Sequence, residues 1–461
     1  MISRPQMTVM VAGVLGTAAA HAQPTTQCGQ WEHLLDGLTE GFPVAGGPRV
    51  SDLITFNAGD GPMLYIAGNF ATLLDPAQGE VEAPALARFD GQAWSVLPGL
   101  DAPELEPNGR AIALQVWDDG TGPALYVGGA FTRIAGLSTN GIARFDGRTW
   151  SVPAQGPLPH ANGRVHDIHA HDFGRGPQLT VAGEFWIGDP PNPQPGVHRF
   201  NGSSWTQVGQ DTPTRGPVYE LASFRGDLYA SGRFAALGEG PSAFIARFDG
   251  LDWSTPSNPS QELRPQEFWP LENASIGGDP VLLAGGRFGL FEAGELVAFN
   301  SVLAWDGDEW AALVPPTEFF ASIMALAVDG QGSGQRIYIA GANSERGHAI
   351  AEVRDGVLQH LPGIGNSVFG LLTYDSGAAP TLLAAGSFEN PSGFDGGLAR
   401  WRPAAPCPAD LNGDCVADLN DFLAFQNLFD AGDPLADFDG DGELTIFDFL
   451  AFQNEFDQGC E

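Results

Sequence analysis

The sequence predicts an all-β fold, a seven-bladed β-propeller of four-stranded blades, followed by a small α-helical domain. Three observations carry this: a glycine-centred segment recurring seven times, an Asp-Gly-x-x-Trp or Asn-Gly-x-x-Trp segment after five of the copies, and a change of composition near residue 403. The 62 glycines and 36 prolines among 461 residues favour turns over long helices, and a hydrophobic fraction of 43% is too high for a disordered acidic chain.

At the N-terminus, Arg4 precedes an apolar run from Met7 to Ala20, and Ala20-His21-Ala22 stands before Gln23. A charged start, a short apolar core and a small-x-small site describe a secretory signal peptide over residues 1–22, cleaved near Ala22. The run is shorter than the ~20 residues a spanning helix needs. No later segment is long enough, so the expectation is a protein without a membrane span, secreted or at the cell surface.

The repeat begins with Leu64-Tyr65-Ile66-Ala67-Gly68-Asn69-Phe70, echoed at Leu125–Phe131 and Leu228–Phe234, with looser copies later. The marker glycines are Gly68, Gly129, Gly183, Gly232, Gly286, Gly341 and Gly386, spaced by 61, 54, 49, 54, 55 and 45 residues. A second signature follows, as in Ala87-Arg88-Phe89-Asp90-Gly91-x-x-Trp94, with copies ending at Trp150, Trp205, Trp253 and Trp310. Asp-Gly or Asn-Gly between alternating apolar residues marks a hairpin, because both residues tolerate positive φ. Another strand pair precedes each marker glycine, so each unit is a four-stranded meander.

Four-stranded units of ~40 to 50 residues repeated in this way predict a propeller over residues 28–402, where radial closure hides most sheet edges. The seventh unit runs out after three strands near Trp401. An orphan strand, Gln30-Trp31-Glu32-His33-Leu34, is available to complete it. The unit resembles the kelch repeat and related secreted propeller repeats, from which it departs in its short Asp-Gly turn and its single marker glycine.

The chain carries 56 acidic residues against 21 basic ones, all of them Arg, for a net charge of −35. Nucleic acid and anionic membranes are excluded as partners by that balance, since both need a cationic surface to replace counterions.

After Pro403-Ala404-Ala405-Pro406, a linker, residues 407–461 hold 14 acidic residues and no Arg or Lys. Two segments offset by 27 residues repeat one spacing: Asp410, Asn412, Asp414, Asp418 and Asp421, then Asp437, Asp439, Asp441, Thr445 and Asp448. Oxygen side chains at positions 1, 3, 5, 9 and 12, with the position-7 carbonyls of Val416 and Glu443, suit two Ca²⁺ ions. Both loops run into stretches whose phenylalanines (422, 425, 429 and 449, 452, 456) share one helical face. Such a small domain has little core of its own, so calcium is expected to support its folding.

Paired loop-helix units with Asp at position 12, opened by Cys407-Pro408 and closed by Gly459-Cys460, resemble the Gly-Cys-ended dockerin-like modules of secreted bacterial proteins. The resemblance implies an anchor that docks on a cohesin-like or surface-sorting partner, and a disulfide between Cys407 and Cys460. Cys415 stands at position 6 of the first loop, where glycine normally makes the turn, which predicts weaker binding there. Cysteine spacing leaves open whether Cys28 pairs with Cys415, pairs with Cys407 or stays free.

Catalytic residues cannot be assigned. The recurring Tyr65, Tyr126, Tyr229 and Tyr338, and Arg88, Arg144, Arg199, Arg247 and Arg400, read as periodic packing. Asp167, His169 and His171 would share one face of a strand, a plausible transition-metal set or simply a packed blade surface. Two function classes follow: a non-catalytic binding or scaffold propeller for a protein or glycan ligand, and a glycan-active hydrolase or lyase carried by the same anchor.

Overall fold

The computed structural model describes residues 25–26, 29–35, 37–39, 48–100, 106–153, 163–187, 194–200, 204–209, 216–234, 237, 244–299, 302–313, 322–330, 335–342, 349–354, 357–361, 363–365, 367–375, 380–388, 397–403, 407–411 and 417–458. The signal peptide, Cys28, Cys415, Cys460 and linker residues 404–406 lie outside them. Up to Pro403 every described regular element is a strand.

The strands form an all-β propeller of antiparallel meanders. Arg49–Asn57, Pro62–Asn69, Leu86–Phe89 and Trp94–Val96 pair in chain order, as do Glu106–Asp118, Pro123–Ile134, Ile142–Phe145 and Trp150–Ser151. The same order recurs over residues 164–207, 218–254 and 261–312. Two further meanders, 322–361 and 367–403, are linked into one sheet by a single bridge between Ala342 and Ser367. Gly29–His33 pairs antiparallel with Gly397–Pro403, Trp31 facing Trp401, so the orphan strand finds the partner the sequence predicts. Glu32 binds Arg400 and Arg402 across this join.

Close backbone approach accounts for the marker glycines. Val50 faces Gly68, the register then shifts, and Asp52 faces Ala67; Val165, Gly183, Asp167 and Ala182 repeat the arrangement. A Cβ on Gly68 would lie 2.1 Å from the Arg49 carbonyl oxygen, and one on Gly129 2.2 Å from that of Arg110. No side chain fits beside this β-bulge.

The Asp-Gly hairpins exist, but they are not two-residue turns. Phe89 faces Trp94 across a four-residue loop in which Gly91 alone has positive φ, at +99°. Asp90 instead accepts hydrogen bonds from the amides of Gln92 (2.8 Å) and Ala93 (2.9 Å), a side-chain turn that Asp146, Asp249 and Asp306 repeat. Two further elements were not predicted: a hairpin, Thr72–Asp75 with Gly79–Glu82, joined by Gly37–Leu38, and a parallel pairing of Thr25–Thr26 with Val357–Leu361.

Apolar side chains gather between consecutive sheets. Tyr65, Leu86, Leu125 and Phe145 fill one seam; Leu35, Leu53, Ile66, Leu383 and Leu398 fill another, so the last meander packs on the first. Repeat tryptophans reach back across the seams: Nε1–H of Trp94 donates to the Leu34 carbonyl (2.9 Å), Trp150 to Pro98 (2.9 Å), Trp253 to Val208 (2.8 Å) and Trp310 to Pro256 (3.0 Å). The periodic tyrosines and arginines pack as expected, Tyr126 donating to Asp119 (3.0 Å), which also pairs with Arg144 (3.3 Å).

Near the C-terminus, α1 (Leu419–Ala431) and α2 (Ile446–Gln458) flank a short 3-10 turn, Pro434–Ala436. Asp418 caps α1 and Gly432, at φ +70°, ends it. The predicted aromatic face forms their core, with Phe425 and Phe452 stacked at 4.4 Å.

Candidate functional site

The first strands of all the meanders converge on one cavity of about 740 Å³, contributing residues within 49–53, 110–112, 164–167, 219–220, 270–272, 324–326 and 369–371. The bulge that excludes side chains at the marker glycines also sets what faces this channel. Just past it, where other units carry Ala113, Ala325 and Gly370, stand Asp52, Asp167 and Glu220.

Each carboxyl joins two sheets. Asp52 accepts from the amides of Leu53 (2.7 Å) and Leu114 (2.6 Å), and Asp167 from those of Ile168 and Leu221 (both 2.7 Å). Glu220 bonds the Leu271 amide in the same manner. Burial raises Asp52 to about 7 and Asp167 to about 6, against the pull of these amides. Glu220 is raised well above the usual carboxylate range by burial and then by the charges of Asp167 and Glu272, and burial raises Glu272 to about 7. The channel therefore holds four carboxyl groups that keep protons towards neutral pH.

Three residues before that position, Arg49, Arg110 and Arg164 line the same cavity, with His166 and Tyr219 beside them. The signal for this constellation was in the sequence: Arg49-Val50-Ser51-Asp52-Leu53 and Arg164-Val165-His166-Asp167-Ile168 are copies of one pattern. Sequence reasoning passed over it because a bulge, invisible in the pattern, turns Arg and Asp of one strand towards one cavity.

The His-Asp cluster does not form a metal set. Asp167, His169 and His171 share a face as predicted, but it is covered by the next sheet. His169 Nε2 and His171 Nδ1 both lie 2.8 Å from the Ser223 hydroxyl, while Asp167 is occupied by backbone amides. Burial, then the nearby His171, lowers His169 to about 4, so it is a neutral packing group.

Of the predicted calcium ligands, the second loop is fully described; in the first, Asn412, Asp414 and Val416 lie outside the described residues. Asp437, Asp439 and Asp441 bring carboxylate oxygens within 4.8 Å of one another. Asp437 Oδ1 is buried with no hydrogen-bond partner, while its Oδ2 accepts from Gly442 (2.9 Å). An orphaned buried carboxylate oxygen facing two further carboxylates is a donor set that fits a hard divalent cation. Glu443 and Thr445 continue the loop, the Thr445 hydroxyl accepting from Phe447 (3.1 Å) at the start of α2.

The position-12 residues are equivalent. Asp421 and Asp448 are both wholly buried. Asp421 accepts from Leu411 (2.9 Å) and Asp418 (2.9 Å), and Asp448 from Thr445 (2.7 Å) and Asp439 (3.3 Å). Amide bonds, Thr445 first, hold the Asp448 carboxyl below the usual carboxylate range. These bonds close each loop onto its helix. Asp410 opens the first loop, its amide bonded to the Cys407 carbonyl (3.1 Å). Cys407 is disulfide-bonded, to a partner outside the described residues.

No protein-family model and no curated protein matches the chain. Among solved structures it is similar to an ancestral GH74 enzyme at 12% identity, TM-score 0.47, over 80% of this chain and 51% of that one. It is also similar to Raptor from Chaetomium thermophilum at 13% identity, TM-score 0.42, over 82% of this chain and 29% of that one. The chain thus spans about half the length of the first and less of the second. At such scores the all-β propeller rests on its own hydrogen-bond ladders. Among the described residues no helix is long and apolar enough to cross a membrane.

Proposed function

We propose that this chain is an exported, non-catalytic seven-bladed propeller that binds a protein or glycan ligand. Residues 407–461, a dockerin-like domain holding two Ca²⁺ ions, hold it on a cohesin-like or other surface-anchoring protein. Seven marker glycines, apolar seams between consecutive sheets and the pairing of Gly29–His33 with Gly397–Pro403 support the seven-bladed ring. A signal peptide over 1–22 and a bonded Cys407, for which Cys460 is the partner the resemblance implies, support export.

One observation carries the anchoring half. Leu419 and Leu423 on α1, and Ile446 and Leu450 on α2, are exposed apolar residues at matching positions of the two copies, Leu419 at 69% and Ile446 at 63%. Each pair stands four residues apart on one helix face, beginning where a carboxylate loop ends. Apolar residues left in water beside a charged loop mark a protein contact. Calcium would hold the loops, and so the helices, in the arrangement that presents them.

The test is capture of surface proteins from the producing cells by the full chain. Capture should need calcium, be abolished by chelator, and fall at least ten-fold in the double variant Leu423→Glu, Leu450→Glu with its helix content retained. Capture indifferent to both would refute the anchoring reading.

The channel carboxyls favour a second reading, a glycan hydrolase whose acid is Glu220 or Glu272, the two groups not fixed by a pair of backbone amides. Turnover of a bound glycan, lost in Glu220→Gln or Glu272→Gln, would replace the non-catalytic assignment.

A further inference from the structure

The channel mouth contains an arrangement that neither a packing role nor the anchoring role uses. The chain has only 21 basic residues against 56 acidic ones, yet Arg49, Arg110 and Arg164 occupy the same position of three successive units and line one cavity. Among the described residues neither Arg49 nor Arg110 has a carboxylate within ion-pair distance. Arg164 has Glu184 at 3.7 Å, both about half exposed. Arg49 lies over the Phe369 ring, 5.2 Å from its centroid, which orients its guanidinium without neutralising it.

The three cations oppose one another. Burial and then the charges of Arg49 and Arg164 lower Arg110 to about 10, and burial followed by Arg164 lowers Arg49. His166, from the same strand as Arg164, lines the cavity with a buried Nε2 that has no hydrogen-bond partner. Its imidazole stands edge-on to Tyr219 at 5.4 Å. Burial, then Arg164 and Arg110, lowers it to about 4, so it is neutral at pH 7 and can offer one N–H without adding charge. Three guanidinium groups with a single exposed carboxylate among them, beside an unused buried imidazole nitrogen, are complementary to an anion with several acceptor oxygens.

We propose that the channel mouth binds an oxyanion, a carboxylate or sulfate either free or carried on a sugar, between Arg49, Arg110 and Arg164, with His166 as a further hydrogen-bond partner. This deepens the reading of the propeller as a binding ring and is independent of the calcium module. Backbone amides of two sheets occupy Asp52 and Asp167, so among the described residues neither carboxyl pairs with these guanidinium groups. In a chain of net charge −35 the site would also select by sign, admitting an anion only where the surrounding field is locally reversed.

The test is calorimetric titration of the full chain with sodium sulfate, galacturonate and galactose at an ionic strength held constant with chloride, together with thermal melting. Sulfate or galacturonate should release saturable heat and raise Tm, and galactose should do neither. Binding of both anions shows that the free oxyanion suffices; binding of galacturonate alone identifies a sugar-borne carboxylate; binding of sulfate alone identifies an inorganic ligand. Arg110→Gln and Arg49→Gln should each weaken binding at least ten-fold and raise Tm in the absence of anion, because repulsion is relieved. Arg264→Gln, which removes an exposed pair with Glu262, should leave binding unchanged. Absence of saturable heat with both anions overturns the proposal, as does an Arg110→Gln protein that melts lower and binds unchanged. Loss of calcium-dependent capture would leave this result untouched, and glycan turnover would revise the non-catalytic reading without removing the site.

Discussion

Carboxylates crowd together in two regions of this chain, and the regions deal with the crowding in opposite ways. In the channel, Asp52 and Asp167 are bonded to amides of two sheets, and burial raises them to about 7 and about 6, so the cluster takes up protons well above the usual carboxylate range. In the second C-terminal loop, Asp437, Asp439 and Asp441 face one another with Asp439 and Asp441 exposed, and Asp437 keeps an unpartnered oxygen. There, the proposed neutraliser is a bound cation. Asp crowds in both places, and the difference lies in what surrounds it: an enclosed channel that buries the carboxyls, against a short exposed loop whose amides leave one Asp437 oxygen unpaired.

The largest expected effect breaks the comparison at the loop. Chelation should remove most of the α1 and α2 helicity while leaving the β signal of the propeller, and Asp437→Asn with Asp441→Asn should lower calcium affinity at least ten-fold at the second site. Circular dichroism and calorimetric titration of the full chain would show both. Helices that persist unchanged in excess chelator would mean that the stacked Phe425 and Phe452 suffice without metal.

Next comes pH, which acts on the ring. His166, His169 and His198, lowered to about 4 by burial, bind fewer protons in the native protein between about pH 4 and 6.5, whereas Asp52, Asp167 and Glu272 are raised and bind more up to about pH 7. Stability from these carboxyls is complete below the unfolded carboxylate range and is lost as pH rises through the folded values. A ten-fold difference in proton affinity between folded and unfolded chain is worth about 1.4 kcal/mol, so the melting advantage of the wild-type chain over Asp52→Asn should be clearly larger at pH 5 than at pH 8. A wild-type advantage that grows from pH 5 to pH 8 would contradict the buried-proton account.

A smaller loss, about 1–3 kcal/mol of the kind overpacking causes, is expected for Gly129→Ala, whose Cβ would meet the Arg110 carbonyl at 2.2 Å. Denaturant unfolding measures it, and a neutral result would remove close approach as the reason for the marker glycines. Smallest is Glu32→Gln at the closing strand. Glu32 and its partners are partly exposed, so water screens the pair and about 0.5 kcal/mol is expected, diminishing with salt. A loss several times larger would mean that the ring depends on this one join.

Much of this was legible because it is periodic. Glycines at near-constant spacing, Trp after a turn and the orphan strand at Trp31 declare meanders and their closure, since local hydrogen bonding and alternation need no tertiary information. The paired Asp spacing declares two loops for the same reason: ligands within twelve residues are arranged by the local chain. The four-residue hairpin loop was missed because Asp90 serves the turn with its side chain where positive backbone φ was expected. The metal set at His169 and His171 failed because the shared strand face is not free; Ser223 of the next sheet occupies it.

What the sequence by itself determined is thus the repeat, its strand content, the closing strand and the aromatic helix face of the C-terminal segment, all set by local pattern. Only the tertiary structure decided what the channel contains. Arg49 and Asp52, or Arg164 and Asp167, are three residues apart and read as opposite faces of a strand by simple alternation, until the bulge beside each marker glycine turns both onto one cavity. Arg110, 61 residues from Arg49 in the chain, becomes its neighbour only when the ring brings successive first strands together. Burial in that enclosed channel, which no residue pattern encodes, sets how strongly the carboxyls hold their protons and how strongly the guanidinium groups repel one another.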